Sequence, residues 1–217
     1  MKEAVSRVRS AEPKHKFKSY SPSFLVDAML GDIARKLRIF GYDTLYVKDT
    51  SDKSILEIAS REKRILLTRD KELFKRVVKT GIEGVLLEQY DEIDNIAYTL
   101  SKYGIPCLSF NTGIARCPCC NGILTFKEAT EFNGALPEKI IKNHRVFFQC
   151  LNCDKIYWEG KHVSRLHLLV KKINNKIRKF EKESANEPYA MFLNKRLKSL
   201  HNSKTVLSQN AQNSNAR

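Results

Sequence analysis

The sequence predicts an α/β protein in which a parallel sheet flanked by helices precedes a small β module and a basic helix. Between about residues 22 and 110, short apolar runs alternate with segments of helical periodicity. Alternation of this kind is typical of parallel strands joined by helical crossovers. After Cys107 the pattern changes to short strands separated by turns. We therefore expect two structural units in the folded part of the 217 residues.

The strands of the first unit are predicted from continuous apolar runs, which indicate strands covered by helices on both faces. Helix boundaries come from capping residues: Gly41 ends the first helix, and Ser51 or Asp52 begins the second. In chain order the elements are a strand at 24–26, a helix at 31–40, a strand at 44–47, a helix to residue 62, a strand at 65–67, a helix from 71 to about 78, a strand at 85–87 and a helix at 93–103.

The second unit is predicted to contain three short strands, at 123–126, 145–149 and 156–158. A basic helix follows at 163–183, and Pro188 separates it from a second short helix at 189–201. The apolar stripe of the helix at 163–183 consists of Leu166, Leu169, Val170, Ile173, Ile177 and Phe180. The predicted domains are a flexible basic arm at 1–21, an α/β domain at 22–110, a β module at 111–165, a basic helical extension at 166–201 and a disordered tail at 202–217.

The net charge of +15 is concentrated at the two ends of the chain. Residues 1–20 hold six Lys and Arg against two acids, and residues 161–217 hold thirteen against three. The middle, residues 21–160, is nearly balanced, with twenty against nineteen. Basic ends attract polyanions such as phosphate backbones, although a solvated, solubilising surface is the alternative.

Membrane and secretory functions are disfavoured by the sequence. No stretch approaches the roughly 20 apolar residues that a membrane span requires. The segment MKEAVSRVRSAEPKHKFK has charges but no apolar core, so it does not resemble a signal peptide. We expect a cytoplasmic protein without a membrane partner. A phosphate-binding loop of the GxxxxGK type is also missing from the sequence, which argues against nucleotide hydrolysis.

Two Cys-x-x-Cys pairs are the strongest signal in the sequence. Cys117 and Cys120 form the first, and Cys150 and Cys153 form the second. Each pair delivers two thiolates on one turn, and two such turns complete the tetrahedron that zinc prefers. We predict one structural zinc per chain in a zinc ribbon, with no open position for catalysis. A redox-active dithiol is the alternative, but it requires one pair at the start of a helix.

The remaining cysteines and the histidines receive lesser roles. Cys119 could replace Cys117 or Cys120, although the two-residue gap would then be lost. Cys107 lies between Pro106 and Leu108 and is interpreted as a core residue. His144 and His162 are possible ligands that a four-cysteine site does not need.

Three aspartates lie where the predicted strands and helices of the sheet meet. Asp27 ends the first strand, Asp70 follows the third, and Asp52 begins the helix between them. Ligands bind outside the carboxyl ends of parallel strands, so we expect these carboxylates to converge there. Converging carboxylates repel one another unless a cation such as Mg²⁺ or Mn²⁺ lies among them. That arrangement is typical of nucleases, whereas simple helix capping is the alternative at each position.

The segments FLVDAMLGDIARKLRIFGYDT, SDKSILEIASREKRILLTRDKELFKR, RCPCCNG and CLNCDKIYWEGKH together resemble a known ribonuclease family. This is the PIN-like family named after the C-terminal domain of the Mut-seven exoribonuclease, and the resemblance covers about residues 23–165. It implies a PIN-like α/β fold, a zinc ribbon and metal-dependent RNA cleavage by Asp27, Asp52 and Asp70. For the further acid of the PIN pattern, Asp32 is the nearest candidate. The basic extension departs from the family and is interpreted as an RNA-binding or ribosome-binding addition.

Several side chains near the acidic edge are candidates for RNA contact. Arg35, Arg38 and Arg69 are predicted to bind phosphate, with Arg64 also near in sequence. For Arg35 and Arg38 a solvated helix face is the alternative. Tyr157 and Trp158 could stack on bases, or could pack within the ribbon.

The sequence thus predicts a cytoplasmic, metal-dependent ribonuclease, most simply an endoribonuclease, that acts on RNA such as tRNA or ribosomal RNA. Its predicted ions are one structural Zn²⁺ and catalytic Mg²⁺ or Mn²⁺. One alternative is a catalytically silent RNA-binding or ribosome-associated protein. The other is a protein–protein adaptor that uses the ribbon to dock a partner.

Overall fold

The structure is a computed structural model that describes residues 21–88, 91–132 and 134–186, with side chains as far as residue 183. The predicted helix at 189–201 and tail at 202–217 lie outside these residues. The predicted arm at 1–21 lies outside them except for its last residue.

Among the described residues, the α/β unit contains four strands and four α-helices. The second unit contains three strands, a 3-10 turn (Ala129–Phe132) and one short α-helix, and a long final α-helix follows it. In chain order the elements are β1 (Phe24–Val26), α1 (Gly31–Ile39), β2 (Thr44–Tyr46), α2 (Asp52–Glu62), β3 (Ile65–Thr68), α3 (Lys71–Thr80), β4 (Gly84–Leu86), α4 (Glu92–Lys102), β5 (Leu124–Lys127), α5 (Glu138–Asn143), β6 (Phe147–Cys150), β7 (Ile156–Trp158) and α6 (Lys161–Asn186). A single 3-10 turn, Ala28–Leu30, connects β1 to α1.

The first four strands form a parallel sheet in the order β2-β1-β3-β4, which confirms the predicted parallel α/β arrangement. The boundary of β4 differs from the prediction, because the strand begins at Gly84 rather than Val85. A β-carbon at Gly84 would lie 2.9 Å from Val77 Cγ1 and 3.0 Å from the Leu66 carbonyl oxygen. Glycine is therefore present at this position for close packing.

The helix boundaries follow from local hydrogen bonds at their caps. Ser51, not Asp52, caps α2, because its hydroxyl accepts from the Ser54 amide and Asp52 is the first helical residue. Gly41 follows the end of α1 with a φ of +92°, a conformation that favours glycine. Its backbone lies against the Ile114 carbonyl oxygen at the start of the second unit.

The sheet separates two apolar layers. Phe24 and Val26 point into a layer formed with α1, α4 and α6, whereas Leu25 points into the layer formed with α2 and α3. All three side chains are fully buried. The β1 strand is therefore apolar on both faces, as expected for a strand covered on both sides.

Helix α6 packs against α4 and belongs to the core of the α/β unit. Ile173 and Ile177 are fully buried in the same apolar layer as Phe24. On the same side, Lys176 forms a 2.6 Å ion pair with Asp94 of α4. The boundary predicted between residues 165 and 166 falls inside this helix. The apolar stripe of the predicted basic extension is thus a buried packing face.

The second unit, residues 111–160, contains an antiparallel sheet in the order β5-β6-β7 and both Cys-x-x-Cys turns. We call this unit the cysteine module. Its strands begin one or two residues later than predicted for β5 and β6, and β7 is as predicted.

Candidate metal centre and acidic edge

The four cysteines of the two Cys-x-x-Cys turns form a compact cluster. Their sulfur atoms all lie within 4.8 Å of one another. The Sγ atoms of Cys117 and Cys153 are 3.6 Å apart, and those of Cys120 and Cys150 are 3.4 Å apart. Zinc–sulfur bonds of about 2.3 Å in a tetrahedron place sulfur atoms about 3.8 Å apart. The donor set and its spacing therefore fit a metal such as zinc.

The backbone around the cluster closes tightly on the sulfur atoms. Asn121 and Asp154, each directly after the second cysteine of its turn, have φ of +69° and +58°. A β-carbon on Gly122 would lie 2.8 Å from Cys150 Sγ, so only glycine fits there. The Asn152 amide donates to Cys150 Sγ at 3.4 Å. Amides directed at sulfur stabilise thiolates, which is the form that binds metal.

The surroundings of Cys120 and Cys153 shift the pKa values of these two thiols in opposite directions. Burial raises the pKa of Cys120, but hydrogen bonds from Asn152 and Gly122 outweigh burial and lower it to about 6. The Lys155 amide lowers the pKa of Cys153, but burial and the neighbouring thiols raise it to about 12. Without a cation the cluster therefore cannot hold four thiolates at neutral pH. A divalent cation supplies the charge that would allow all four to ionise together.

Two cysteines lie outside the cluster. Cys119 is exposed, and its sulfur accepts from Lys155 Nζ at 3.1 Å. Cys107 is also exposed, so its interpretation as a core residue is wrong. The apolar neighbour that enters the core is Leu108, which is 3% exposed. Apolar flanking residues indicated a buried segment but did not determine which side chain points inward.

Arg38 joins the cysteine module to the α/β unit. Its side chain is buried, and Nε donates to the Thr44 carbonyl at 2.8 Å. Nη1 donates to the carbonyls of Pro118 and Cys119, at 3.1 and 3.0 Å, inside the first Cys-x-x-Cys turn. Burial lowers the pKa of Arg38, while the nearby thiols act to raise it. Its contacts give Arg38 a structural role that sequence reasoning did not assign.

A second contact between the units runs through Asn121. Its side chain accepts from the Thr44 amide at 3.0 Å and donates to Asp43 Oδ1 at 2.7 Å. Arg64 Nη1 and Nη2 bind the two oxygens of Asp43 at 3.0 and 3.2 Å. Arg64 is therefore occupied within the fold. Sequence reasoning missed Asp43 and Asn121 because their partnership spans 78 residues and no local pattern shows it.

Asp27 lies at the carboxyl edge of the parallel sheet, directly after β1. Its side chain is 6% exposed. One oxygen accepts from the Met29 amide at 3.0 Å, and the other accepts from the Thr68 hydroxyl. The Thr68 oxygen in turn accepts from the Asp70 amide at 2.9 Å. Asp27 and Asp70, from neighbouring strands, are thus linked through one buried hydroxyl.

Asp70 and Asp52 also occupy the ends predicted for them. Asp70 caps α3, and its Oδ1 accepts from the amides of Glu72 and Leu73 at 2.7 and 3.1 Å. Asp52 Oδ2 lies 3.2 Å from Arg76 Nη1 of α3. Capping by Asp70 is therefore real, but it uses only one of the two carboxylate oxygens.

The acidic edge is less compact than the cysteine cluster. In residues 21–88, 91–132 and 134–186, the cysteines are the one group of three or more His, Cys, Asp or Glu residues with ligand atoms within 4.8 Å. Asp27, Asp52 and Asp70 therefore share an edge without forming a closed set. Asp32, the candidate fourth acid, is exposed and lies 3.8 Å from Arg35. Glu88, two residues after β4, was missed, although the rule that selected Asp27 and Asp70 also selects it.

The other predicted RNA contacts differ in their surroundings. Arg35 is largely exposed and near Asp32. Arg69 is half-buried directly after β3, and its Nε makes no hydrogen bond in the part of the chain that the structure describes. Tyr157 packs in the cysteine module, with its hydroxyl 3.1 Å from Cys117 Sγ, and the Trp158 ring lies 6.2 Å from that of His144. Both aromatic residues are thus engaged in packing.

These features define an α/β protein with a parallel, helix-flanked sheet and a four-cysteine cluster able to bind a metal such as zinc. A family model described as Mut7-C RNAse domain matches residues 22–170, and the chain belongs to this family. The match confirms the resemblance seen in the sequence and indicates ribonuclease activity, with RNA as the implied substrate. It also includes the first turns of α6.

Comparison with curated proteins and with solved structures gave no match. Among the helices that the structure describes, none has the length and apolar character needed to cross a membrane.

Proposed function

We propose that the protein is a metal-dependent endoribonuclease with a PIN-like α/β domain. In this proposal Asp27, Asp52 and Asp70 hold Mg²⁺ or Mn²⁺ at the carboxyl edge of the sheet and cleave RNA phosphodiesters there. The four cysteines hold one structural Zn²⁺ in a zinc ribbon. The family match supports the ribonuclease part of the proposal.

The observation that carries the acidic site is the connection of Asp27 to Asp70 through Thr68. Thr68 is fully buried, donates to Asp27 and accepts from the Asp70 amide. A buried carboxylate at a strand end is costly unless hydrogen bonds or a cation offset its charge. Two capping groups on separate helices would not need a shared buried hydroxyl. The connection instead fixes the Asp27 carboxylate relative to the backbone of Asp70, which follows the neighbouring strand.

The free oxygens at this edge suit cation binding. The amides of α3 fix Asp70 Oδ1, and Oδ2 has no hydrogen bond in the described part of the chain. Asp52 Oδ2 is paired with Arg76, so in this proposal the cation would bind the other oxygen of Asp52. A bound Mg²⁺ or Mn²⁺ would polarise the phosphodiester and lower the pKa of an attacking water. Asp27, held by Thr68 and the Met29 amide, would give the site a rigid side.

The zinc ribbon has a structural role in this proposal. Four thiolate ligands leave no open coordination position, so the zinc takes no part in cleavage. Arg38 and Asn121 connect the first Cys-x-x-Cys turn to Thr44 at the start of β2. Metal binding in the cysteine module therefore stabilises the α/β domain as well.

The proposed substrates are cytoplasmic RNAs such as tRNA or ribosomal RNA. The supporting observation is the charge of the sequence, since the net +15 lies almost entirely in its two ends. Contacts of Lys and Arg with phosphates supply most of the sequence-independent affinity for nucleic acid.

A circular single-stranded RNA tests the proposal directly, because a circle offers no end to an exonuclease. The purified protein should linearise and then fragment the circle with Mg²⁺ or Mn²⁺, and should leave it intact without added divalent metal. If the protein cleaves a linear RNA but leaves the circle intact, it is an exonuclease rather than an endonuclease. Binding of RNA without cleavage under all conditions would favour the silent RNA-binding alternative.

A further inference from the structure

A cavity opens at the carboxyl edge of the sheet, beside the acidic residues and between the ends of β3 and β4. Its volume is about 660 Å³, within the range of about 300–1,000 Å³ that is usual for ligand sites. It is lined by Met29, Arg69, Lys71, Leu86, Leu87 and Glu88. These residues lie at or just after the carboxyl ends of β1, β3 and β4, so the cavity adjoins Asp27 and Asp70.

Arg69 is the feature that points to a ligand. It lies between Thr68 and Asp70, and its Nε is buried without a hydrogen bond in the described part of the chain. The described residues also provide it with no ion pair, unlike Arg64, which binds Asp43 and Glu62. A buried donor without an acceptor costs free energy. An oxyanion that enters the cavity would attract this guanidinium and supply the acceptors it lacks.

The other lining residues give the cavity a cationic side, an apolar surface and one carboxylate. Lys71 is exposed and places a second cation beside Arg69. Met29 is 68% exposed and offers apolar surface next to the half-buried Leu86. Glu88 repels anions and restricts them to the side of Arg69 and Lys71. Its carboxylate is an acceptor for the amino group of a base or for a ribose hydroxyl.

We propose that this cavity binds the nucleotide of single-stranded RNA next to the cleaved phosphodiester. The phosphate of that nucleotide lies on Arg69 and Lys71, and its base lies against Met29 and Leu86. An unpaired base can leave its stack and pack against such a surface, which a base in a duplex cannot do. This inference rests on the proposed ribonuclease function and adds a subsite and a preference for single strands.

The test is RNA binding in the absence of cleavage. Affinity for a short single-stranded RNA is measured by fluorescence anisotropy without added divalent metal, over a series of salt concentrations. Arg69→Gln should weaken binding several-fold and make the slope of log affinity against log salt shallower by about 0.7, the value for one phosphate contact on a single strand. Met29→Ala should weaken binding without changing the slope, because it removes no charge.

Arg61→Gln is the matched control for Arg69→Gln. Arg61 is exposed and lies at the end of α2, away from the carboxyl edge. Removing its charge should leave both affinity and slope near those of the wild type. Equal effects of the two variants would overturn the proposal, since the cavity would then contribute only general positive charge. Equal affinity of the wild type for single-stranded and duplex RNA would overturn it as well.

Measurements of binding and of cleavage together distinguish failure of the proposed subsite from failure of the proposed nuclease function. An intact circular RNA together with weaker binding by Arg69→Gln would reject the nuclease and retain the subsite. Cleavage of the circle together with unchanged binding and unchanged KM in Arg69→Gln would reject the subsite and retain the nuclease. Melting temperatures of the variants confirm that the fold is intact in each case.

Discussion

At the residue scale, Arg38 shows how one side chain connects a metal module to a folded domain. Its buried guanidinium donates to three carbonyls, those of Thr44, Pro118 and Cys119. Without Arg38, the carbonyls of Pro118 and Cys119 would have to form their hydrogen bonds with water. A single arginine therefore fixes the first Cys-x-x-Cys turn on the α1–β2 connection.

Replacing Arg38 should destabilise the protein far more than replacing Arg35, its neighbour on α1. Arg38→Met leaves one buried and two partly buried carbonyls without this donor, so the free energy of unfolding should fall by about 2–4 kcal/mol. Arg35 is exposed, and Arg35→Met should change it by at most about 0.5 kcal/mol. Urea denaturation of both variants measures the difference. Equal stabilities would mean that Arg38 does not hold the two units together.

The contact of Asp43 with Arg64 and Asn121, which also joins the two units, should depend on pH. Burial raises the pKa of Asp43, but hydrogen bonds from Arg64 and Asn121 outweigh burial and lower it below its ordinary value. A group with a lowered pKa contributes stability above its unfolded pKa and loses it as pH falls through the folded pKa. Asp43→Asn should therefore lower the melting temperature at pH 7 and show a smaller further loss between pH 5 and pH 3. If the melting temperatures of wild type and Asp43→Asn fall in parallel as pH is lowered, Asp43 does not contribute the proposed pH-dependent stability.

At the element scale, the two Cys-x-x-Cys turns and the strands that carry them form the most specific feature of the chain. The cluster sulfurs are within 4.8 Å of one another, whereas Cys119 is exposed and paired with Lys155. Adjacent cysteines in one turn thus have different environments. The difference predicts which of them the metal requires.

Protein purified without added metal should contain about one zinc per chain by elemental analysis. Cys119→Ser should keep this zinc, whereas Cys150→Ser should lose it and should melt at a lower temperature. Cys150 is fully buried and is one of the four clustered sulfur ligands, so its replacement removes a ligand from the site. Zinc retained in Cys150→Ser and lost in Cys119→Ser would reassign the ligands, and zinc-free protein with free thiols would remove the metal altogether.

The elements were predictable from sequence where periodicity or spacing alone decides them. The runs at 24–26 and 65–67 are apolar because both faces of the sheet are covered, and this signal is local. Cys-x-x-Cys spacing likewise predicted which sulfurs meet. The contact of Arg38 with Cys119 was not predictable, because a bond to a backbone carbonyl 81 residues away leaves no trace in side-chain pattern. The inward packing of α6 was visible as an apolar stripe, but its basic composition suggested a separate extension.

At the scale of the whole molecule, α6 is both part of the core and the last described helix before the basic end of the chain. Ile173 and Ile177 are buried with the α/β domain, so removal of α6 would expose that layer. Leaving α6 intact therefore allows the charge of the ends to be tested separately from stability. Residues 1–20 and 187–217 together hold eleven Lys and Arg against three acids, which is +8 of the net +15.

Protein shortened to residues 21–186 should keep its melting temperature and lose affinity for RNA. Fewer phosphate contacts release fewer counterions, so the slope of log affinity against log salt should become shallower. Anisotropy titrations of the full-length and shortened proteins at several salt concentrations provide the comparison. An unchanged slope would show that residues 1–20 and 187–217 do not contact RNA.

The central claim is that Asp27, Asp52 and Asp70 hold a catalytic cation, and Asp→Asn substitution at each tests it most directly. Asn is as good a helix cap as Asp, so capping alone predicts unchanged cleavage in the Asp27 and Asp70 variants. Asp52 pairs with Arg76 instead of capping a helix, and this ion pair alone likewise predicts unchanged cleavage. A cation site predicts that cleavage falls by roughly a hundredfold or more in each variant, because the lost charge weakens cation binding. The fold should survive, since relief of carboxylate repulsion is neutral or stabilising.

The decisive measurement is the rate of RNA cleavage by the wild type and the three variants with Mn²⁺, with melting temperatures as the control for folding. We expect near-complete loss of cleavage in folded Asp27→Asn, Asp52→Asn and Asp70→Asn, and a melting temperature that Mn²⁺ raises only in the wild type. Wild-type rates in all three variants, together with a melting temperature that Mn²⁺ does not change, would contradict the claim and leave Asp27 and Asp70 as caps and Asp52 as the ion-pair partner of Arg76.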